Sequence, residues 1–375
     1  MFTGEWTYII MHKDKAVASI RKDGYSEVYL PSFMPYNLYF ETKTQDLDER
    51  VNNLTNFYYW CASRVLSLDR KYAKTILNYL NKKQAVTDKD RAEISISYHC
   101  LTLTDVYWVQ EKEETLCFED ISLYRNSLSK AFFDVCLRGV YPTLQNQEFL
   151  TAGKVAGDIS TSGVAPKAWI RKDGDIYLYK DGNLDEVNAE LLASKIVACF
   201  KCNHIDYFED YYLGEKVCAS KLITSEENSI VPMEFVDVYA VNNDTDKYSI
   251  VLEKDPYNYY MMNILDYLIG NTDRHWGNWG FCVNNNNNAL LELHPLMDFN
   301  KAFTSYDDIE GAKCLTVKEN LTQKQAAIEA VQKIGLNQIC EIQDEWFYDK
   351  EDRRIFFERL ELLKKIDKER IESCN

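Results

Sequence analysis

Two short stretches of this 375-residue chain hold a dense set of reactive polar groups. In "NILDYLIGNTDRHWGNWGF", Asn263 to Phe281, an apolar run ends in a knot of Asn271, Asp273, Arg274, His275 and Asn278. Further on, "LMDFN" sets Asp298 between Met297 and Phe299. Residues 279–283 and 289–293 lie between the two and read as the arms of a hairpin. A hairpin brings the chain back near its start, so Asp298 returns beside Asp273 and Asn278. One carboxylate can then orient a hydroxyl and accept its proton. An amide and a second carboxylate can hold a hard, oxygen-loving cation such as Mg²⁺. Together these are the needs of phosphoryl transfer from a nucleotide. Taken singly, the groups have plainer readings. "NTDRH" is also a helix-ending turn, and Asp298 could be a buried acid paired with Arg274 or Lys301.

An Asp, an Asn five positions on, and an Asp after a hairpin form the pattern protein kinases use. That chemistry makes further demands, and the chain answers each in order. "DISTSGVAPK", residues 158–167, is rich in Gly, Ser and Thr and lies between predicted strands, where its N–H groups would cradle phosphates. Lys180 ends the strand "DIYLYK" and would reach α- and β-phosphate oxygens; alone it reads as the solvated end of a hairpin. Glu190, on the helix that follows, would pair with Lys180 and fix it.

These groups need a scaffold. Residues 5–40 read as short strands, with "KDG" at 22–24 as a turn. From about 45 to 139 the pattern is mostly helical: Leu68, Tyr72, Ile76 and Leu80 share a face, Thr87 and Asp90 suit a capping box, and one helix runs from "EDISLY" to Gly139. Between 150 and 235 strands return, broken by one helix, "LDEVNAELLASKIVACF"; "AWIRK" and "DIYLYK" flank a tight Asp173–Gly174 turn. Helices dominate from 236. "YYMMNILDYLIG" is apolar all round and should be buried, and "DRRIFFERLELLKKI" is amphipathic. The asparagine tract 284–288 reads as a permissive hairpin turn. Strands first and helices later predict an α+β, two-lobed protein.

Composition narrows the class. With 46% hydrophobic residues a sizeable core forms, and the net charge of −16 opposes binding to phosphate backbones and anionic membranes. The 11 cysteines show no framework spacing, as expected in a reducing cytosol. Cys199 and Cys202, with His204 and Cys218, allow a zinc site but fit a frayed helix end with incidental thiols better. No secretory signal and no membrane span is expected.

"SGVAPKAWI", "IYLYKDG", "GNTDRHWGNWGF" and "LMDFN" together resemble the motifs of the HipA-like serine/threonine kinases of bacteria. The resemblance covers about residues 5–340. It implies a protein-kinase-like fold with an added N-terminal subdomain at 1–140, a kinase N-lobe at 141–235 and a helical C-lobe at 236–375. Asp273 would be the catalytic base, with His275 organising its loop, and Asn278 and Asp298 would bind Mg²⁺. Lys180 would be the ATP lysine, and Ser160, Thr161, Ser162 and Gly163 the phosphate loop. The strand "SKLIT", 220–224, would lead into the hinge that contacts adenine, with Ile223 or Thr224 as the contacts. In such kinases a loop serine can be autophosphorylated, which ejects the loop; Ser160, Thr161 and Ser162 are the candidates here. The implied partners are a protein substrate and a separately encoded antitoxin, in the cytoplasm, without direct contact with nucleic acid or membrane. The chain departs from ordinary protein kinases in having "TDRH" for HRD, "DFN" for DFG and no G-x-G-x-x-G loop. Two other readings remain: a kinase-fold enzyme acting on a lipid or small molecule, and a catalytically dead nucleotide-binding module. Retention of Lys180, Asp273, Asn278 and Asp298 argues against the second.

Overall fold

The computed structural model describes residues 7–82, 85, 87–140, 152–161, 163–304 and 306–373. Its first strands form from runs rich in β-branched and aromatic residues. β1 (Thr7–His12) pairs antiparallel with β2 (Lys15–Arg21), and β2 with β3 (Ser26–Val28). Gly24 closes the predicted turn at φ +80°, where a Cβ would overlap the carbonyl of Arg50.

Three helices follow: α1 (Leu47–Ala62), α2 (Ala73–Tyr79) and α3 (Asp88–Ile96). Thr87 caps α3 in a full capping box with Asp90, as its spacing predicts. α2 is shorter than the predicted face, because Tyr72 precedes it in a left-handed conformation. β4 (Tyr107–Glu111) is a strand inside a region expected to be helical; it completes a sheet of order β3-β2-β1-β4. The helix expected up to Gly139 is two: α4 (Phe118–Ile121) and α5 (Lys130–Arg138). Ser129 caps the second by accepting from the Phe132 N–H at 3.1 Å, and Gly139 ends it at φ +67°.

α6 (Ala152–Ile159) takes up the start of the stretch expected to be an open loop between strands. Glycines 153 and 157 weaken its helical signal. Packing compensates, for Val155, Ala156 and Ile159 are buried. β5 (Lys167–Lys172) and β6 (Asp175–Lys180) form the predicted hairpin, with Asp173 at φ +54° and Gly174 at φ +90° in its turn. Then come α7 (Leu184–Val197), capped by Asn183, and the antiparallel pair β7 (Tyr207–Tyr212) and β8 (Glu215–Lys221). β9 (Asn228–Pro232), α8 (Met233–Asn242), α9 (Lys247–Lys254) and α10 (Pro256–Ile269) lead to the hairpin of β10 (Gly280–Asn284) and β11 (Ala289–Leu293). α11 (Gln323–Ile334) and α12 (Lys350–Ser373) end the described chain.

The chain divides into two compact units. The first comprises Met1–Asp181, Lys221–Val231 and Val283–Ala289, the second Gly182–Ser220, Pro232–Cys282 and Leu290–Asn375. In the first, Ile10, Ala18, Phe57 and Trp60 join sheet and α1 in one cluster, while Trp108, Phe118, Leu123 and Ile176 form another. In the second, α10 is the central helix. Met261 to Ile269 are all buried, and the helix packs against α11 and α12. Each fully buried Leu, Ile or Met there contributes roughly 1.5–3 kcal/mol. Among the described residues no helix is long and apolar enough to cross a membrane.

Candidate active site

In the second unit, the site begins where α10 stops. Gly270 ends the helix at φ +61°, a position where a Cβ would overlap the ring of Tyr306. The chain then folds over itself through short polar links. Asn271 Nδ2 donates to Asp266 Oδ1 at 3.1 Å, and Asn271 Oδ1 accepts from the Asp273 N–H at 3.3 Å. Asn278 Nδ2 donates to the Asp273 carbonyl at 2.6 Å. His275 Nδ1 accepts from the Gly277 N–H at 3.0 Å, so its ring closes the loop while staying exposed. Gln323, at the start of α11, donates to the Asn271 carbonyl at 2.7 Å and accepts from the Ala312 N–H at 3.2 Å.

Arg274 binds these parts together. It is 2% exposed and grips Asp266 in a fork, Nε to Oδ2 at 2.9 Å and Nη2 to Oδ1 at 3.0 Å. Its Nη1 donates to the Asn278 carbonyl at 3.2 Å and the Met297 carbonyl at 2.5 Å. One guanidinium thus ties α10, the loop of Asp273 and Asn278, and the residue before Asp298. Burial opposes its charge, but Asp266 and then Asp298 hold its pKa above the ordinary value. The plainer reading, Asp298 as the partner of Arg274, gives way to Asp266, which takes the fork.

Asp298 follows the hairpin, whose base is closed by the His294 N–H donating to the Gly280 carbonyl at 3.0 Å. Asp298 sits at φ +61°, a left-handed conformation unfavourable for residues other than Gly, and its N–H donates to the Tyr207 hydroxyl at 3.1 Å. The next N–H, of Phe299, donates to the buried Glu190 at 3.3 Å. Lys301 pairs instead with Glu186 at 2.5 Å. Asp273, Asn278, Asp298 and Glu190 are thus brought onto one hydrogen-bonded frame. With Nδ2 committed to the Asp273 carbonyl, Asn278 keeps its amide oxygen as an acceptor. An amide oxygen and a carboxylate match the hard donors Mg²⁺ prefers.

The other expected residues lie in the first unit. Arg70 braces the stretch 158–167 from behind. Its guanidinium donates to the carbonyls of Asp158 at 3.0 Å, Thr161 at 3.3 Å and Lys167. The N–H groups of Ser160 and Thr161 stay within the helix end, donating to the Ala156 carbonyl at 2.9 Å and the Asp158 carbonyl at 3.4 Å. Gly163, at φ +91°, lies against the Lys167 ammonium, which a Cβ there would meet at 2.5 Å. Lys167 stands opposite Lys180 in the β5–β6 register, and both are buried. Thr161 Oγ1 is doubly engaged, donating to the Gly157 carbonyl at 2.6 Å and accepting from Trp169 Nε1 at 2.7 Å. Ser160 Oγ donates to the same carbonyl at 3.2 Å. Ser162 lies outside the described residues. The segment of Ile223 and Thr224 is irregular, since β8 ends at Lys221. Thr224 is buried, with its hydroxyl on the Leu103 carbonyl and near Tyr124 Oη at 3.3 Å.

Arg70 and Gln323 carry no sequence signal as parts of a site; only folding brings them there. Arg274 was visible in "TDRH", but its partner Asp266 reads as one polar residue in an apolar helix. The described cysteines are free thiols. Among the described residues no group of three His, Cys, Asp or Glu side chains is placed to hold a metal, and Cys202 Sγ lies 3.8 Å from His204 Nδ1.

No protein-family model and no curated protein matches the chain. Among solved structures it is similar to HipA of Shewanella oneidensis MR-1, from the toxin–antitoxin complex of HipA, HipB and operator DNA. The identity is 11%, the match covers 97% of this chain and 90% of that one, and the TM-score is 0.56. The proinflammatory kinase CtkA of Helicobacter pylori is also similar, at 15% identity over 56% of this chain and 95% of that one, with a TM-score of 0.42.

Two outcomes follow from the buried charges. Arg274→Met leaves Asp266 buried without its partner and should cost roughly 3–5 kcal/mol in chemical denaturation; adding Asp266→Asn should restore part of it. Asp158 is 1% exposed, accepts from the Trp169 N–H at 2.7 Å, and has its pKa raised by burial from 3.8 to about 7. The folded chain keeps a proton there that the unfolded chain releases, so stability falls as pH rises from about 4 to about 7. Asp158→Asn retains an acceptor and removes this slope. In denaturation curves it should gain about 2–4 kcal/mol at about pH 8 and nothing near pH 4.

Proposed function

On the premise that the chain has the protein-kinase-like α+β fold of HipA, we propose that it is an ATP- and Mg²⁺-dependent serine/threonine protein kinase. The observation that carries the proposal is the single frame on which Arg274 holds the loop of Asp273 and Asn278 and the residue before Asp298. In this reading residues 1–140 are an added subdomain, 141–235 the N-lobe and 236–375 the C-lobe.

The acceptor hydroxyl is oriented by the Asp273 carboxylate, which takes its proton as the oxygen bonds to the γ-phosphorus and the bond from the γ-phosphorus to the β–γ bridging oxygen breaks, with ADP as the leaving group. Asn278 and Asp298 hold Mg²⁺, which when bound offsets charge on the phosphate oxygens. Lys180 binds α- and β-phosphate oxygens and Glu190 keeps it in place. Lys167, on the same face of the hairpin, adds a second ammonium to the phosphate loop. Ile223 and Thr224 line the adenine end, where the engaged Thr224 hydroxyl favours a backbone contact. His275 keeps the catalytic loop closed.

Autophosphorylation belongs to the same proposal. The Thr161 hydroxyl is locked between Gly157 and Trp169, so Ser160 and Ser162 are the preferred acceptors. A phosphate there would repel those of ATP and silence the enzyme. We place the chain in the cytoplasm, working on a protein substrate as the toxin of a toxin–antitoxin pair. Contact with operator DNA is left to the antitoxin, because a net charge of −16 opposes it here. A lipid or small-molecule acceptor is the second reading, since a fold of this kind serves several acceptors.

Purified chain incubated with MgATP should label itself on Ser160 or Ser162, as read by mass spectrometry. Consumption of ATP only after a lipid or metabolite is added would favour the second reading. Asp273→Ala should lower transfer by about 10²–10⁴-fold with nucleotide affinity nearly intact. Asp298→Ala should weaken binding of Mg²⁺–nucleotide as well. Nucleotide binding indifferent to Asp298→Asn would point to a dead module.

A further inference from the structure

Within the first unit, Arg70 is a buried cation with no carboxylate partner among the described residues. Its Nη1 and Nη2 donors go to the carbonyls of Asp158, Thr161 and Lys167, and its Nε has no acceptor. Beside it, Asp158 Oδ1 accepts from the Trp169 N–H, while the buried Oδ2 has no donor. A donor and an acceptor are thus left unpaired on two buried residues already joined through the Asp158 carbonyl, although such atoms are costly to leave unmatched. The backbone nearby is tied to the same strap of chain. The Leu66 N–H donates to the Ile159 carbonyl at 2.6 Å and the Lys71 N–H to the Val164 carbonyl at 2.9 Å, while the Asp181 N–H reaches the Pro166 carbonyl at 2.9 Å.

Burial raises the Asp158 pKa to about 7, against the Trp169 N–H and then Arg70, which lower it. The other ionisable group that acts there is the Cys136 thiol of α5, itself pushed up by burial and then by Asp158. Further charged groups on the elements packed against α6 are engaged elsewhere: Arg138 of α5 with Asp181 at 2.5 Å, Arg171 of β5 with the Leu123 and Tyr124 carbonyls, and Asp120 of α4 with Cys117. The Lys167 ammonium of β5 lies against Gly163. Once Asp158 ionises, a carboxylate with one bare oxygen faces a guanidinium with a bare Nε–H. Asp158 is fixed by the last turn of α6 and by Trp169, so Arg70 is the side that turns. Its donors share one rigid plane, and a turn that brings Nε to the carboxylate takes Nη groups off the carbonyls. We propose that Asp158 and Arg70 form a proton-operated latch: neutral Asp158 leaves Arg70 holding the Thr161 and Lys167 carbonyls, and ionised Asp158 draws it away and loosens residues 163–167. Lys167 loosens with them, so nucleotide binding weakens as pH rises through about 7; that consequence, unlike the latch, rests on the phosphate-loop reading.

The test is amide hydrogen exchange of the full chain at about pH 6 and about pH 8. Mass spectrometry reads peptides holding Lys71 and Asp181, whose acceptors are the Val164 and Pro166 carbonyls. Wild type is compared with Asp158→Asn at each pH, which cancels the intrinsic pH dependence of exchange; asparagine stands for the neutral acid. The wild-type excess should be small at the lower pH and grow roughly ten-fold at the higher, following the ionised fraction. Equal exchange at both pH values overturns the latch, and so does slower exchange in wild type at the higher pH, the sign of an ion pair that tightens the stretch. An excess spread over all of α5, β5 and β6 marks a charge that merely destabilises the unit, and overturns it too. Arg70→Lys offers a point charge in place of a planar fork and should exchange fast already at the lower pH; a match to wild type there is equally fatal. Calorimetry with Mg²⁺–ADP should show the dissociation constant of wild type, relative to Asp158→Asn, rising up to roughly ten-fold over the same pH range. If neither protein binds Mg²⁺–ADP, the phosphate-loop reading falls, and the exchange result alone decides the latch.

Discussion

Arg274 is a cation taken out of water, and everything around it is arranged to make that tolerable. Its fork on Asp266 neutralises the charge, and its remaining donors reach two backbone carbonyls. Such a pair is weak evidence for stability, because desolvation offsets much of the attraction. Its value here is geometric. Alternative arrangements of the two loops would strand a buried charge, so one arrangement dominates.

Much of the second unit was legible in the sequence. The apolar run into "GNTDRH" gave a buried helix and its end, and two apolar arms gave the hairpin that returns Asp298. Local chemistry was equally readable at Asp173–Gly174, the Thr87 capping box and Gly139, where a turn or cap depends on adjacent residues alone. What stayed hidden depends on distant partners. β4 is short and buried at four of its five residues, so periodicity could not mark it as a strand. α6 carries two glycines and is helical because its apolar face has a core to enter. The engagement of Arg274 with Asp266, of Arg70 with three loop carbonyls, and of the asparagine tract with Ser32, Met34, Tyr107 and Ser229 has no local signature at all.

Each unit is braced within itself. The first contains residues 158–167 and Lys180; the second contains Asp273, Asn278 and Asp298. Each part is over-determined from within: the loop by Arg70 and Trp169, the acids by Arg274, Gln323 and Tyr207. That economy explains how so acidic a chain would accept a nucleotide. On the proposed reading, the cations that would meet phosphate, Lys167 and Lys180, are local and buried, whereas the net charge of −16 belongs to the chain as a whole.

The central claim is that Asn278 and Asp298 share one divalent cation when nucleotide is present. The most direct measurement is anomalous diffraction from crystals of the chain grown with Mn²⁺ and a non-hydrolysable ATP analogue. A single peak about 2.1–2.2 Å from the Asn278 amide oxygen and an Asp298 carboxylate oxygen, bridging to the phosphates, is the predicted result. Nucleotide bound with no metal at either side chain, or metal held elsewhere, would contradict it.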